Sequence, residues 1–427
     1  MTTPDKNIAK DKIGECPAGG ALAGNRYRVL ISTDIGGTDD DDFQSMIHYL
    51  LYADLFDTEG LVSSPFDKGR AEDILKVIAK YEQDYPRLKG HSDNYPTPSY
   101  LRSISKQGAV DPSPPEGYSH ATEGSEWMVK CARKKDARPL YVLVWGLISD
   151  VAQALHDAPD MADKIRVIFI GGPNKKWDLN AYNYIEQNFP DLWMIENNST
   201  YRGWWIGGNQ DADMGNQSFV EENIKGHGTL GDYFVRFKKG KIKMGDTPTM
   251  AYLLKGDPDD PTGDSWGGRF VCAENRPRFV FAESTAESNN VELFGIFELL
   301  MKAPEICGQN LELKAHFRHP ERTVDADGFL GDDGLYHVRF MPQSEGCWEY
   351  VIKSSAAEIN GRTGQFMCIA PSLSRRYDSQ PSHKNWWVDD PDPALMEQEH
   401  YGVKTINQWR VDYLRDFAQR MDRCIAL

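Results

Sequence analysis

Five aspartates fall within nine residues: Asp34, then Ile-Gly-Gly-Thr, then Asp39, Asp40, Asp41 and Asp42. Like charges this close repel. The chain must either spread them over a solvated loop or gather them round a cation, whose charge cancels the repulsion. Ca2+ and other hard cations take roughly six to eight oxygen ligands from carboxylates, backbone carbonyls and water. Gly36 and Gly37 allow the tight turns that wrapping an ion requires. The acidic residue that closes an EF-hand loop has no counterpart here. Phosphoryl transfer through a paired Asp-x-Asp would also place aspartates after a first strand, but Ile35 and Gly36 directly after Asp34 argue against it.

The surrounding pattern places the cluster. RVLIST (28–33) is a short apolar, β-rich run, and FQSMIHYLLYADLF after the aspartates has helical periodicity, with Met46, Ile47, Leu50 and Leu51 on one face. The aspartates therefore occupy a strand-to-helix loop, where the helix dipole favours carboxylates. DTEGLVSS, PLYVLVW, IRVIFIGG and DLWMIEN repeat the strand theme between helical segments. That alternation predicts an α/β fold, a mainly parallel sheet with helices on both faces. Ligands in such sheets bind beyond the carboxyl ends of the strands, where Asp34 to Asp42, Trp145 and Gly171 to Asn174 are expected to lie. After about residue 290, GLYHVRFMP, CWEYVIKSS and GQFMCIA are short alternating strands separated by GDDG and NGRTG turns, which predicts a small antiparallel all-β sandwich. A Pro, Ser and Asp-rich connector containing NWWVDDPDP follows. In the last helix Trp409, Leu414, Phe417 and Met421 form an apolar stripe expected to return to the first domain.

The chain has 427 residues, 40% hydrophobic and 26% charged, a globular balance with room for more than one domain. Its net charge of -16 argues against a nucleic-acid polymer or an anionic membrane as partner. No apolar run is long enough to cross a bilayer. The first 25 residues are polar and small and lack the apolar stretch of a secretory signal, which reads as a disordered tail on a cytoplasmic protein. Seven scattered cysteines with no CxxC pair read as reduced structural thiols. Cys347 and Cys368 share one small domain and could pair there, though nothing requires it.

The aspartate loop resembles the signature of the nucleoside hydrolases, Asp-x-Gly followed by Asp-Asp between the first strand and the first helix. The resemblance implies that Asp34 and Asp42 are ligands of a Ca2+ ion and that Asp41 is the base activating the water it holds. VLVWGLISDVAQAL resembles the family's strand, turn and helix, which implies a backbone-carbonyl ligand from Trp145. GDTPTMAYLL resembles a late Asp-Pro segment and makes Asp246 the remaining carboxylate ligand. AYNYI resembles a sugar-binding Glu-Phe-Asn, with Asn183 as the matching residue. More narrowly, TDIGGTDDDDFQSM, IGGPNKKW, STYRGW and SWGGRF resemble the nucleoside hydrolase-like domain of the cellulose-binding-type proteins. FGIFEL, DGLYHVRFMPQSEGCWEY and INGRTGQF resemble an Ig-like module found with glycoside hydrolases. The departures are specific. Asp34 and Asp41 stand further apart than in the nucleoside hydrolases, Gly245 stands where several carry a His for the leaving group, and Ala181 replaces the Glu of the sugar-binding trio.

The expected organisation is a tail over 1–25, an α/β domain over 26–288, an Ig-like sandwich over 289–370, and a connector with a C-terminal helix over 371–427. The resemblance implies a Ca2+-dependent, inverting hydrolase of N-glycosidic (nucleoside-like) or related glycosidic bonds. The competing reading is a carbohydrate-binding protein that keeps the metal pocket with little or no turnover. A small-molecule sugar or nucleoside is the expected substrate, and the resemblance is compatible with a homo-oligomer. Asn174, fixed by a Gly-Gly-Pro-Asn turn, and Trp177, whose ring face suits a sugar, are candidate substrate residues. Arg202 and Arg269 either bind substrate or brace the loops. Trp204, Trp205, Trp386 and Trp387 read as platforms or as core, and Trp348 and Tyr350 as sandwich core. His91, His120, Glu123 and Asp178 are the candidates for protonating a leaving group.

Overall fold

The computed structural model describes residues 26–37, 39–64, 70–273, 278–302, 312–371 and 383–425. The tail expected over 1–25, most of the Pro/Ser connector, Cys16 and Cys307 lie outside the described residues.

The first part alternates strands and helices. Its strands are β1 (Tyr27–Thr33), β2 (Phe56–Ser63), β3 (Ser105–Gln107), β4 (Leu140–Val144), β5 (Ile165–Ile170), β6 (Trp193–Asn197) and β7 (Phe270–Cys272). Its helices are α1 (Asp41–Leu51), α2 (Ala71–His91), α3 (Pro98–Ser103), α4 (Glu123–Ala132), α5 (Ser149–Asp157), α6 (Gly171–Asn174), α7 (Leu179–Asn188), α8 (Ser218–Asn223), α9 (Gly228–Phe234) and α10 (Thr247–Leu254). Then come β8 (Arg278–Ala282), β9 (Asn290–Glu292), β10 (Ile296–Met301), β11 (Leu313–His319), β12 (Arg322–Leu330), β13 (Tyr336–Phe340), β14 (Gly346–Ser354) and β15 (Thr363–Ile369). The chain closes with β16 (Trp386–Asp389), α11 (Lys404–Asn407) and α12 (Arg410–Asp422).

The first sheet runs β3-β2-β1-β4-β5-β6-β16-β7. Its pairings are parallel except that between β16 and β7. Helices cover both faces, as the alternation predicts: Val29 and Ile31 of β1 pack in one apolar cluster and Leu30, pointing the other way, in a second. Burial on both faces is why these strands read as continuous apolar runs. Helix α1 is buried throughout, not only along its apolar stripe, because α2, α10 and α12 surround it. Phe417 of α12 lies 4.3 Å from the His48 ring, and Tyr52 donates to Asp416 at 2.5 Å. The C-terminal helix thus packs on the first domain.

Two boundaries differ from expectation. β16, read from sequence as connector, inserts between β6 and β7, so Trp386 and Trp387 belong to the first sheet. β8, placed by sequence in the α/β domain, pairs with β10, so the all-β part begins at Arg278 rather than at residue 289.

The second sheet runs β8-β10-β13-β12-β11-β14-β15-β9. β12 pairs with β11 through Arg322–Asp327 and with β13 through Gly328–Leu330. Phe297 of β10 stacks on Phe366 of β15 at 4.7 Å, although these strands are remote in the order, so the two halves face each other as a sandwich. Trp348 and Tyr350 are core, as expected. The pairings are not all antiparallel: β8–β10 and β9–β15 run parallel. Cys347 and Cys368 sit on neighbouring strands as free thiols. Among the described residues no helix is long and apolar enough to cross a membrane.

Candidate functional site

β1, β4, β5 and β6 are parallel neighbours, so their carboxyl ends open on one edge of the sheet. Asp34 follows β1, Trp145 and Gly146 follow β4, Gly171 to Asn174 follow β5, and Asn198 follows β6. Two helices deliver further carboxylates there: Asp41 and Asp42 begin α1, and Asp246 is the N-cap residue of α10. Carboxylates at helix N-termini meet the positive end of the dipole. Gly36 turns the loop in the left-handed region (φ +83°), and a Cβ there would lie 2.3 Å from the Asp73 carboxylate. At Gly146 a Cβ would lie 2.6 Å from that of Asp34, so the bare glycine lets Asp34 lie against the turn after β4.

Asp41, Asp42 and Asp246 are 4%, 3% and 5% exposed, while Asp34 is half-buried. Asp42 accepts from the Thr33 hydroxyl at 2.5 Å, and Asp34 and Asp42 are close enough to perturb each other's ionisation. Asp246 accepts from Ser45 at 3.2 Å. Asp41 accepts from the Gly245 N–H at 2.7 Å and from Lys243 at 3.1 Å. Lys243 also donates to Asp39, as does Lys238. Burial, reinforced by the neighbouring carboxylates, pushes Asp34 up to about 7 and Asp41 up to about 6. The same causes hold Asp42 and Asp246 well above the usual carboxylate range. Crowded and buried, these carboxyls hold protons more tightly than usual in the ion-free protein, in spite of the Lys243 cation beside Asp41.

The structure separates the substrate candidates. Asn174 is at the aspartate edge: its amide donates to the Trp145 carbonyl at 2.7 Å and to the Ile170 carbonyl at 3.0 Å. Arg202 donates to the Asn198 carbonyl at 2.9 Å and lines a cavity with His400 and Tyr401 against the sandwich. Trp177 lines another part of the same domain junction. Asn183 is inside α7, where its amide reaches Gln187, itself held by Arg278 of β8. Arg269 braces loops through Asp264 and Asp390. Trp204 and Trp386 are core.

The expected proton donors are engaged elsewhere. Asp178 is buried, accepts from Ser149 at 2.6 Å and from Ser113 N–H at 3.1 Å, and burial pushes it up to about 6. Glu123 pairs with Lys106 at 2.8 Å, His120 contacts Ser119, and His91 ends α2 in an exposed position. Sequence reasoning missed Lys243, Thr33 and Ser45. Thr33 directly precedes the aspartate motif, but nothing marks Lys243 except its place three residues before Asp246.

An all-oxygen, anionic, buried donor set suits a hard cation rather than a soft one. Asp34, Asp42, Asp246 and the Trp145 carbonyl fit Ca2+ by this chemistry. Among the described residues no three His, Cys, Asp or Glu side chains stand together at metal-ligand spacing.

The cellulose-binding Sde182 family, through its nucleoside hydrolase-like domain, matches residues 28–270. The chain belongs to this family. A domain family of unknown function, DUF5060, matches residues 290–355 within the sandwich. The fold is similar to that of a nucleoside hydrolase-related hypothetical protein from Saccharophagus degradans associated with carbohydrate metabolism. The two are 20% identical with a TM-score of 0.50, over 81% of this chain and 99% of that one. A putative glycoside hydrolase from Bacteroides vulgatus is 32% identical over 20% of this chain and 17% of its own, with a TM-score of 0.19. An inosine-uridine preferring nucleoside hydrolase from Bacillus anthracis is 15% identical over 58% of this chain and 85% of its own, with a TM-score of 0.36. None of the curated proteins matches the chain. Family membership and fold make residues 28–270 a nucleoside hydrolase-like domain.

Proposed function

We propose that the protein hydrolyses a glycosidic bond, N-glycosidic or related, at the aspartate edge of the parallel sheet. The observation that carries this reading is the convergence of Asp34, Asp41, Asp42 and Asp246, all with raised proton affinity, at the carboxyl ends of the strands. Asp34, Asp42 and Asp246 with the Trp145 carbonyl would hold Ca2+. When bound, such an ion lowers the pKa of water and orients sugar hydroxyls.

Asp41 takes the proton of the attacking water. A carboxylate pushed up to about 6 is a better base near neutrality than an ordinary one and is still ionised there. Lys243 and the Gly245 N–H hold its two oxygens in place. A single attack by water inverts the anomeric centre. Asp41→Asn is expected to lose turnover by about 10²-fold or more while retaining Ca2+, whereas Asp34→Asn is expected to lose Ca2+.

A second reading, carbohydrate binding with little or no turnover, is favoured by the engagement of Glu123 and Asp178 away from the aspartates. Calorimetric Ca2+ titration of EDTA-stripped protein beside Asp42→Ala, followed by a screen of nucleosides and aryl glycosides, tests both. Ca2+ binding lost in the variant, with turnover of any substrate, supports the hydrolase. Ca2+ binding without turnover supports the binding protein. No binding at millimolar Ca2+ removes the metal-assisted reading.

A further inference from the structure

Tyr201 lies just past β6, in the short helical turn Thr200–Trp204, and is 5% exposed. Its N–H donates to the Asn197 side chain at 2.7 Å, which fixes the start of the turn. The ring lies between two glycines of the aspartate edge. A Cβ on Gly172, at the end of β5, would stand 3.2 Å from its Cε1, and one on Gly245 would stand 3.7 Å from its Cε2. The same point on Gly245 is 2.6 Å from Asp41 Oδ2. One edge of the ring therefore faces the carboxylate assigned above as the base.

Two cations flank the phenol. Arg202 Cζ sits 4.6 Å over the ring, and Lys243 donates to Asp41. Burial makes the phenol hold its proton more tightly than usual, and Arg202 and Lys243 both act against this. Arg202 also lines a groove of about 530 Å3, with His400 and Tyr401, between the α/β domain and the sandwich.

Other hydroxyls of the edge are spent on carboxylates: Thr33 donates to Asp42 and Ser45 to Asp246. The Tyr201 hydroxyl forms no hydrogen bond with a described residue. A nearly buried hydroxyl without a partner is costly, and such a group in a native site calls for a functional account. A substrate at the aspartate edge supplies the missing partner. We propose that Tyr201 is the proton donor to the leaving group, an inference that rests on the hydrolytic reading above.

As the glycosidic bond breaks, its electron pair goes to the departing oxygen or nitrogen, which takes the Tyr201 proton. The attacking water forms the new bond at the anomeric carbon and gives its proton to Asp41. Arg202 and Lys243 stabilise the phenolate left behind. The phenolate regains a proton from solvent and Asp41 releases one to it, so both groups return to their starting state.

Tyr201→Phe removes the hydroxyl and keeps the ring under Arg202. It is compared with wild type on two matched pairs: inosine with 4-nitrophenyl β-D-ribofuranoside, and methyl with 4-nitrophenyl β-D-glucopyranoside. 4-Nitrophenolate departs without a proton, whereas the purine and the methoxide need one. For whichever pair wild type cleaves, kcat on inosine or the methyl glucoside is expected to fall about 10²-fold or more. Cleavage of the 4-nitrophenyl partner, Ca2+ affinity and melting temperature should stay at wild-type values. An equal loss on both members of the pair, or no loss on either, overturns the assignment. So does a lowered melting temperature or Ca2+ affinity, which would make Tyr201 a structural residue. Wild type that cleaves only the 4-nitrophenyl members also overturns it and leaves the hydrolytic reading standing. Wild type inert toward all four substrates removes the hydrolytic reading, and the role of Tyr201 with it.

Discussion

The side-chain amide of Asn174 donates to the backbone carbonyl of Trp145 at 2.7 Å. It also donates to the Ile170 carbonyl at 3.0 Å, which ties the ends of β4 and β5 together. The Trp145 carbonyl keeps a second lone pair, so it can serve a cation and Asn174 at once. Groups that orient metal ligands affect affinity without touching the ion. Asn174→Ala is therefore expected to weaken Ca2+ binding roughly 10–100-fold, read by calorimetry. Unaltered affinity would detach Asn174, and with it the Trp145 carbonyl, from the metal site.

Lys243 acts in the opposite direction. It offsets part of the negative charge of Asp39 and Asp41, so it stabilises the ion-free protein and competes with an incoming cation. Lys243→Met should bind Ca2+ more tightly than wild type. In EDTA it should be less stable, by about 1–3 kcal/mol, because a largely buried carboxylate loses its partner. Melting curves with and without Ca2+ read both effects. A variant equally destabilised in the two conditions would count against a cation at the cluster.

Next to Asn174, Lys175 reaches into the junction between the domains. It pairs with Glu196 at 2.5 Å, both side chains being 1% exposed, and donates to the Phe294 carbonyl of the sandwich at 2.6 Å. Lys175→Met removes the cation beside the buried Glu196, and a loss of about 3–5 kcal/mol is expected. Lys314→Ala, removing one side of the exposed Lys314–Asp327 pair, should cost about 1 kcal/mol or less. Denaturant unfolding of the two variants gives the comparison.

His400 provides a pH dependence in the groove. Burial, reinforced by Arg202, lowers its pKa from 6.5 to about 4. In the unfolded chain it takes a proton near its ordinary value, and in the folded chain only at lower pH. Its contribution to stability is thus present above pH 6.5 and lost as pH falls through 4. His400→Gln should show a shallower fall in melting temperature across that window, with little change at pH 8. A parallel offset at every pH would exclude the titration as the cause.

The aspartate edge was legible because the signals were local. RVLIST is apolar enough to be a buried strand, and the glycines and aspartates after it mark its carboxyl end. Asp246 was legible only through resemblance, since about two hundred residues separate it from Asp42. Lys243 was missed for the same reason: a lysine before a Met-Gly-Asp turn is an ordinary surface residue until α10 docks against α1. Asn183 was legible only through resemblance, and in the structure it lies inside α7, where its amide donates to Gln187. Trp177 and Arg202 were expected at one site with Asn174, yet their neighbours come from the sandwich, and the docking of two domains leaves no periodic trace. The four residues of β16 sit beside Asp-Pro-Asp-Pro, a sequence that signals a turn more strongly than a strand.

β16 also bears on the order of assembly at the ribosome. When synthesis has reached Ala273, just past β7, the first sheet lacks the strand between β6 and β7, and β6 presents an open edge where β16 belongs. That gap closes only after the whole sandwich has been made and the chain has returned. A gene fragment ending between the two domains would therefore encode an incomplete sheet with an adhesive edge. Dissecting the protein requires excising the sandwich from within and rejoining the flanking segments, as one would remove an inserted domain.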